Sequence, residues 1–568
     1  MAAVQTILEN GWIYTGLEDG PRPGGLVLSG GEIVAVGTPE ELAALVSEDP
    51  EPGAESDGGI RRIDLRGRLV VPGFQDAHMH PVFAGVELLQ CDLTSVDGAE
   101  AAVDAVRRYA EDNPEEPWIL GAGWSMEWFP GGTPTRGLLD AVVPDRPVFL
   151  QNRDHHGAWV NSKALELAGI TAATPDPESG RFERGADGTP AGTVHEGAMD
   201  LFNEAKPDVP HELAYAGLLK AQDLMLSQGI TAWQDAWVAV PQDGGADSLK
   251  VYLDAAAAGD LKVRVRICQW WDRTAGTAQL DGILERREEV ARAAAPERLS
   301  AGSVKVMVDG VAENFTAAMH HPYRDHHGHH TDNRGIEFFD AEEMKGFVAA
   351  LDAHGFQVHF HALGDRAVTD ALDAVERARS VNGGDHASAN RHHLAHLQLV
   401  RPEDTARFAA LDATANLQAL WACHEEQLDD LTLPFLEPDA EEHHYPFGEL
   451  AAHGTRLAAG SDWPVSTADP LAALHVAVNR TTPGADGGPL GPERQKLGVK
   501  AMLDAYTQGT AYVNHLDHLT GTLEPGKLAD FVILDRDVFA VQASEIHTVR
   551  VDETWIDGER VYQRDGAA

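Results

Sequence analysis

The stretch FQDAHMHP, residues 74–81, places two imidazoles, His78 and His80, two positions apart at the end of an apolar run. If that run is a β-strand, its period of two turns both rings to one face, where they can chelate a single cation. Alone the pair is a weak signal, because a chain with 27 histidines produces HxH pairs by chance. Its weight depends on what stands at matching places further along.

Downstream, apolar β-rich runs alternate with segments of helical spacing, the pattern of βα units closing into a parallel barrel. With GRLVVPGFQDAHMH (67–80) in front, the strand candidates are ITAWQDAW (230–237), KVRVRICQWW (262–271), SVKVMVDG (303–310), FQVHFHALGD (356–365), RHHLAHLQ (391–398), ATANLQAL (413–420) and RLAAGSDWPV (456–465). Eight strands follow, an α/β fold of the (β/α)8 TIM-like kind. The segment HELAYAGLLKAQDLMLSQG (211–229) has helical apolar spacing and closes on Gly229.

Both chain ends read differently. TILENGWIYT (6–15) and GGLVLSGGEIVAVG (24–37) are short strands broken by Asn-Gly and Gly-Gly turns, and LADFVILDRD (528–537) and HTVRVDETWIDGERVY (547–562) alternate around an Asp-Gly turn. Together they predict a small discontinuous β-sandwich domain from residues 1–67 and 515–568, beside a barrel spanning 68–514. Residues 85–210 are far too long for one βα connection, so they are expected to form an inserted subdomain after the first strand. Barrel sites lie at the C-terminal ends of strands, so such an insertion would overhang the site.

Those strand ends concentrate metal-binding side chains. His359 and His361 close the fifth candidate strand, His392, His393 and His396 the sixth, and each strand offers one inward imidazole. Asp462 follows the eighth, able both to bind a divalent ion and to accept a proton. Histidines and an aspartate at the ends of strands one, five, six and eight make a borderline-soft site suited to zinc, with iron, nickel, cobalt or manganese as alternatives. Lys305, on the fourth strand, has two readings: an ion pair with Asp309 or another acid, or a desolvated amine carboxylated by carbon dioxide that bridges two metals.

These motifs, PGFQDAHMHP, NRDHHGAWVNSKALELAGI (152–170), KVMVDG, HFHALGDRAV, RHHLAHLQ, AAGSDWPV, and the tail DAYTQGTAY (504–512) with GTLEPGKLADFVILD (521–535), run nearly end to end. The sequence resembles the amidohydrolase superfamily and, within it, the amidohydrolase family 3 group that includes N-substituted formamide deformylases. The resemblance implies a metal shell of His78, His80, Lys305, His361, His396 and Asp462, with one or two ions and Asp462 as proton acceptor. GWSMEW (123–128), TRGLLD (135–140) and NRDHHGAWVNS resemble pocket-lining segments, which makes Trp124, Arg136, His156, Asn161 and Glu196 candidates for substrate contact. Structural roles compete at each: Arg136 can tie down a loop and Trp124 can be core. Two departures, Ser125 after Gly-Trp and Asp154-His155-His156 in place of Asp-Gly-His, argue against carrying over substrate specificity. The His-rich loop 320–330 reads as a solvated loop rather than a second metal site.

Composition narrows the partners. With 90 Asp+Glu against 44 Lys+Arg, the formal net charge is −46, which disfavours nucleic acid and anionic membrane and points to a small-molecule substrate. Such acidity is compatible with salt adaptation or with an ordinary soluble surface. The chain start does not read as a signal peptide and no run is long enough to span a bilayer, so a cytoplasmic protein is expected, with a homodimer as the default oligomer. Three cysteines, Cys91, Cys268 and Cys423, are too scattered for a disulfide framework or a zinc ribbon. The expected reaction is hydrolysis of a C–N bond, with His361 or His156 helping to stabilise the oxyanion. A lactone, ester or cyclic-amide hydrolase on the same site, and a non-catalytic barrel scaffold, are the alternatives.

Overall fold

Eight parallel strands in sequence order form the barrel of the computed structural model: β1 (Phe74–Met79), β2 (Ile230–Val238), β3 (Arg264–Trp270), β4 (Leu299–Met307), β5 (Gln357–Ala362), β6 (His393–His396), β7 (Thr414–Leu417) and β8 (Leu457–Ala459). The structure describes residues 5–46, 60–238, 246–485 and 487–566. At the C-terminal ends of β8 and β1, the Asp462 N–H donates to the His78 carbonyl (2.7 Å) and the His80 N–H to the Trp463 carbonyl (3.0 Å), which stitches the seam. Strand β5 shows the alternation that builds the barrel. Val358, Phe360 and Ala362 join the core shared with the surrounding helices, while Gln357 and His359 hydrogen-bond across the interior.

The helix His211–Ser227 buries Ala214, Leu218, Ala221 and Met225, and the chain turns into β2 through Gly229 at φ 83°. It crosses the helix Pro81–Glu87 so closely that a Cβ on Gly85 would lie 2.0 Å from the Gly217 carbonyl oxygen. The chain between these two helices forms a separate six-stranded sheet, ordered Gly180–Arg184, Pro190–Glu196, Gly157–Val160, Val148–Asn152, Ile119–Trp124, Cys91–Asp92. Its two faces carry separate cores. Val148, Leu150 and Trp159 face one way, and Phe149, Ala158 and Val160 the other.

Strands from both chain ends pair in one further sheet, ordered Glu559–Gln563, Val551–Ile556, Phe531–Leu534, Leu69–Pro72, Gln5–Ile13, Arg22–Ser29, Glu32–Gly37, with Arg61–Asp64 alongside Gln5–Ile13. Val70, Phe531, Ile533 and Trp555 pack with Leu8, Leu26 and Leu28 in its own core, whereas Leu69, Val71, Val532 and Leu534 join the barrel core. The strand Leu69–Pro72 therefore belongs to this end sheet, not to the barrel as a boundary at residue 68 implies. The apolar run reads as continuous because both halves are buried on two sides; Gly73, pressed against the Thr231 side chain, is where the chain passes from one sheet to the other. The fully buried Arg264 of β3 fixes the end sheet to the barrel, donating to both Asp530 carboxylate oxygens at 2.7 and 2.9 Å. No helix among the described residues is long and apolar enough to cross a membrane.

Candidate metal centre

The seam that closes the barrel also assembles its polar mouth. Gly460 and Ser461 carry the chain from β8 to Asp462, and a Cβ on Gly460 would meet the His78 amide nitrogen at 2.7 Å, so only glycine lets the two strand ends approach. Asp462 then adopts φ 57°, and its Oδ1 stands 2.9 Å from His80 Nε2 and 3.2 Å from His78 Nε2. Donor atoms of His78, His80 and Asp462 all lie within 4.8 Å of one another. Beneath them Asp76, fully buried, accepts the His78 N–H (2.9 Å) and the Ser461 N–H (3.0 Å), so one carboxylate ties β1 to β8. Asp76 lies within the opening motif, but nothing in its spacing marks it for this role.

Strands β5 and β6 complete the cluster and resolve which of their histidines take part. The His361 ring lies 4.5 Å from that of His396, which lies 4.6 Å from that of His78 and stacks on Trp421 at 5.4 Å and 9°. His359 sits one layer deeper, with Nε2 2.7 Å from His78 Nδ1, and His393 lies beside it against Gln234. His392 faces outward to Asp352 at 2.9 Å. The Lys305 Nζ comes to 3.4 Å from His78 Nε2 with the residue 2% exposed, and burial lowers its ammonium to about 8. The alternative ion pair with Asp309 does not form, because the Asp309 carboxylate accepts the Ala318, Leu363 and Gly364 N–H groups and stands 3.3 Å from His361 Nδ1.

These side chains fit a divalent cation. Both ring nitrogens of His396 are buried without a hydrogen-bond partner, an arrangement costly unless something else satisfies them. Burial holds the imidazoles of His78, His80, His361 and His396 below their usual range, so they are neutral and keep their lone pairs. Burial alone would raise Asp462, but His78 and His80 against its carboxylate hold it well below the usual carboxylate range. Neutral imidazoles around an ionised carboxylate form a donor set of the zinc type.

The predicted substrate contacts divide. His156 and Glu196 come from the insertion to the centre: the His156 ring lies 5.7 Å from that of His361, and its Nδ1 is 3.0 Å from each Glu196 oxygen. Thr316 donates to Glu196 Oε1 at 2.8 Å. Burial works against a charge on His156, but the Glu196 carboxylate, with Asp154 and Asp462, outweighs it and lifts the imidazole to about 9. Trp124, Asn161 and Arg136 are not brought there. Trp124 is 1% exposed, packs edge-on to Phe129 and Trp159, and donates its indole N–H to the Leu150 carbonyl. Asn161 caps the helix Ser162–Leu167 and uses its whole amide on backbone groups of Ala164, Val148, Val143 and Arg146. Arg136 begins the helix Arg136–Asp140, its backbone against Gly192. Trp124 and Asn161 stabilise the insertion, because their polar groups and packing are spent inside it.

A cavity of about 510 Å³ opens over the mouth, walled by residues that follow β1 (Glu87), β4 (Glu313), β5 (Leu363), β6 (Gln398), β7 (Trp421) and β8 (Trp463), and by Arg153 and Asp154 of the insertion. Cys423 also lines it, but burial raises its thiol to about 11, which leaves it unreactive. His155, missed in the sequence, pairs with Glu87 at 2.9 Å and packs edge-on to Phe83, which stacks on His80. A second hollow, of about 650 Å³, is lined by His320, His321, Arg401 and His443, and neither cavity has a residue of the metal cluster in its lining.

The amidohydrolase family model matches residues 61–562. Protein LONG AFTER FAR-RED 3 of Arabidopsis thaliana is 29% identical over 561 residues, covering 98% of this chain and 91% of that protein. The N-substituted formamide deformylase of Arthrobacter pascens is 28% identical over 557 residues, with 95% of each chain covered. The crystal structure of an uncharacterized metal-dependent hydrolase from Pyrococcus horikoshii superposes with a TM-score of 0.70 at 25% identity, covering 95% of this chain and 99% of that one.

Proposed function

The chain belongs to the amidohydrolase family and is a metal-dependent hydrolase, and we propose that it cleaves a non-peptide C–N bond, an amide or formamide, in a small molecule. One observation carries this reading: His78, His80, His361, His396, Lys305 and Asp462 meet at one barrel mouth with imidazole nitrogens left for a cation. The deformylase among its relatives, at 28% identity, supports the bond type. A divalent ion bound there, zinc in this reading, supplies Lewis acidity that lowers the pKa of a water and polarises a carbonyl oxygen.

In this reading Asp462, whose carboxyl lies well below the usual carboxylate range, takes the proton of the attacking water and returns it to the leaving nitrogen. His156, gripped at Nδ1 by Glu196 and protonated at neutral pH, has Nε2–H to offer a carbonyl oxygen as charge builds there. Lys305, lowered to about 8, has a neutral-amine fraction that carbon dioxide can carboxylate, which suits two ions; a free amine suits one. The cavity volume and the net charge favour a small substrate over nucleic acid.

Metal quantification on the purified protein, coupled to a hydrolysis screen of N-formyl amines, N-acyl amino acids and lactones, tests this. Metal-dependent release of amine from the first two classes is the expected result. Turnover of lactones alone would move the reading to ester-type bonds.

A further inference from the structure

Inside the barrel, below the metal cluster, the hydrogen-bond partners form a chain with only one consistent assignment of protons. The Gln357 amide nitrogen lies 2.8 Å from the Arg391 carbonyl oxygen and 2.7 Å from that of Val513. Two carbonyls can only accept, so this end of Gln357 is its NH2, and Oε1 points the other way to accept from Ser303 Oγ (2.7 Å) and Gln234 Nε2 (2.9 Å). Gln234 Oε1 is therefore an acceptor, and it meets His359 Nδ1 at 2.6 Å and His393 Nε2 at 3.0 Å. His393 agrees independently: its Nδ1 faces Asn416 Nδ2 (3.2 Å), an NH2 that donates to the Ala77 carbonyl, so the His393 proton is on Nε2.

His359 consequently carries its proton on Nδ1 and offers the Nε2 lone pair to His78 Nδ1 at 2.7 Å. His78 must then be the Nδ1–H tautomer, with the lone pair of Nε2 directed to the side where Asp462 and Lys305 stand. We propose that His359 and Gln234, anchored through Gln357 on the Arg391 and Val513 carbonyls, are positioning residues that fix the tautomer and ring orientation of the metal ligand His78. The His359 imidazole thus does at His78 what a carboxylate or carbonyl does behind other metal-bound histidines. The inference rests on the metal-centre reading but not on any substrate.

The test measures the zinc dissociation constant by chelator competition, with thermal melting of each variant as a check on folding. Removing the acceptor in His359→Leu, or its anchor in Gln234→Leu, should weaken zinc binding by ~10- to 100-fold, the range for groups that orient a ligand from behind. His359→Gln, whose amide oxygen can reach His78 Nδ1, should recover most of that loss. Wild-type affinity in folded His359→Leu, or no recovery in His359→Gln, would overturn the relay while leaving the metal centre standing; a wild-type protein that binds no divalent ion would overturn both. A second readout needs no variant. Neutron diffraction from the zinc-loaded protein should show deuterium on Nδ1 of His78 and His359 and on Nε2 of His393, and deuterium on His359 Nε2 would refute the assignment.

Discussion

Replacing Asp462 by Asn removes the proposed proton acceptor with little other disturbance. Asp462 sits at φ 57°, a left-handed conformation that asparagine tolerates nearly as well, so the backbone bonds from Asp462 N–H to the His78 carbonyl and from His80 N–H to the Trp463 carbonyl should survive. Asparagine also keeps an oxygen near His80 Nε2, now at 2.9 Å from the carboxylate, and leaves the four mouth imidazoles unchanged. What goes is the basic, ionised carboxylate. Loss of a positioned general base costs ~10²- to 10⁴-fold, so kcat should fall about 10³-fold, or about 4 kcal/mol of barrier, with zinc content near that of the wild type. Alanine is a poorer probe, since a non-glycine residue without a polar side chain pays ~1–2 kcal/mol at that φ. The assay is initial-rate hydrolysis of the best substrate from the screen, with zinc measured on the same samples. Activity within tenfold of wild type in a zinc-loaded Asp462→Asn protein would refute the proton role.

Glu196→Gln should move the alkaline limb of the pH–rate profile downward, because Glu196 is what lifts His156 to about 9; an unmoved limb would remove His156 from the chemistry. The same pair contributes to stability with a definite sign. The folded value lies above the ordinary histidine range, so the contribution is complete below pH ~6.5, declines as pH rises towards and through about 9, and should be absent in Glu196→Gln when chemical denaturation is followed against pH. Chelation should lower the melting temperature and added zinc restore it, since the buried ring nitrogens of His396 then lose their partner; zinc at 100 times its Kd is worth ~2.7 kcal/mol, and an unshifted melt would count against a native-state site. Gly85→Ala should destabilise the fold by ~1–3 kcal/mol in denaturant titrations, because its Cβ would strike the Gly217 carbonyl and the two helices that flank the insertion must part. A neutral outcome would mean that this helix contact yields easily.

Much of this was legible in the residues because barrel strands carry their chemistry at their C-terminal ends. Each strand candidate holding a ligand histidine, or leading to Asp462, proved to be a barrel strand in the expected order. Period two could not separate His359 from His361, since residues two apart share a face and differ only in depth; the last inward residue reaches the mouth, and the earlier one supports it. His393 and His396 divide similarly, with the chain leaving the strand at His396, φ 79°. The insertion was hardest to read. Trp124 stands in a neighbouring motif and Asn161 in the very motif that supplies His156, yet their hydrogen bonds are consumed within the insertion, and only tertiary placement separates such residues from ones that face the site. Asp76 and Asp309 escaped for the opposite reason, because carboxylates spent on backbone N–H groups leave no mark in sequence spacing.

Anomalous diffraction at the zinc edge, from crystals of zinc-saturated protein, tests the central claim most directly. A peak ~2.0–2.2 Å from the Nε2 atoms of His78 and His80 and from an Asp462 oxygen is the predicted result, and any second peak should lie towards His361 and His396 with Lys305 between. No peak at this mouth, or zinc bound only at the histidine-rich loop 320–330, would contradict the assignment of these residues as the metal centre.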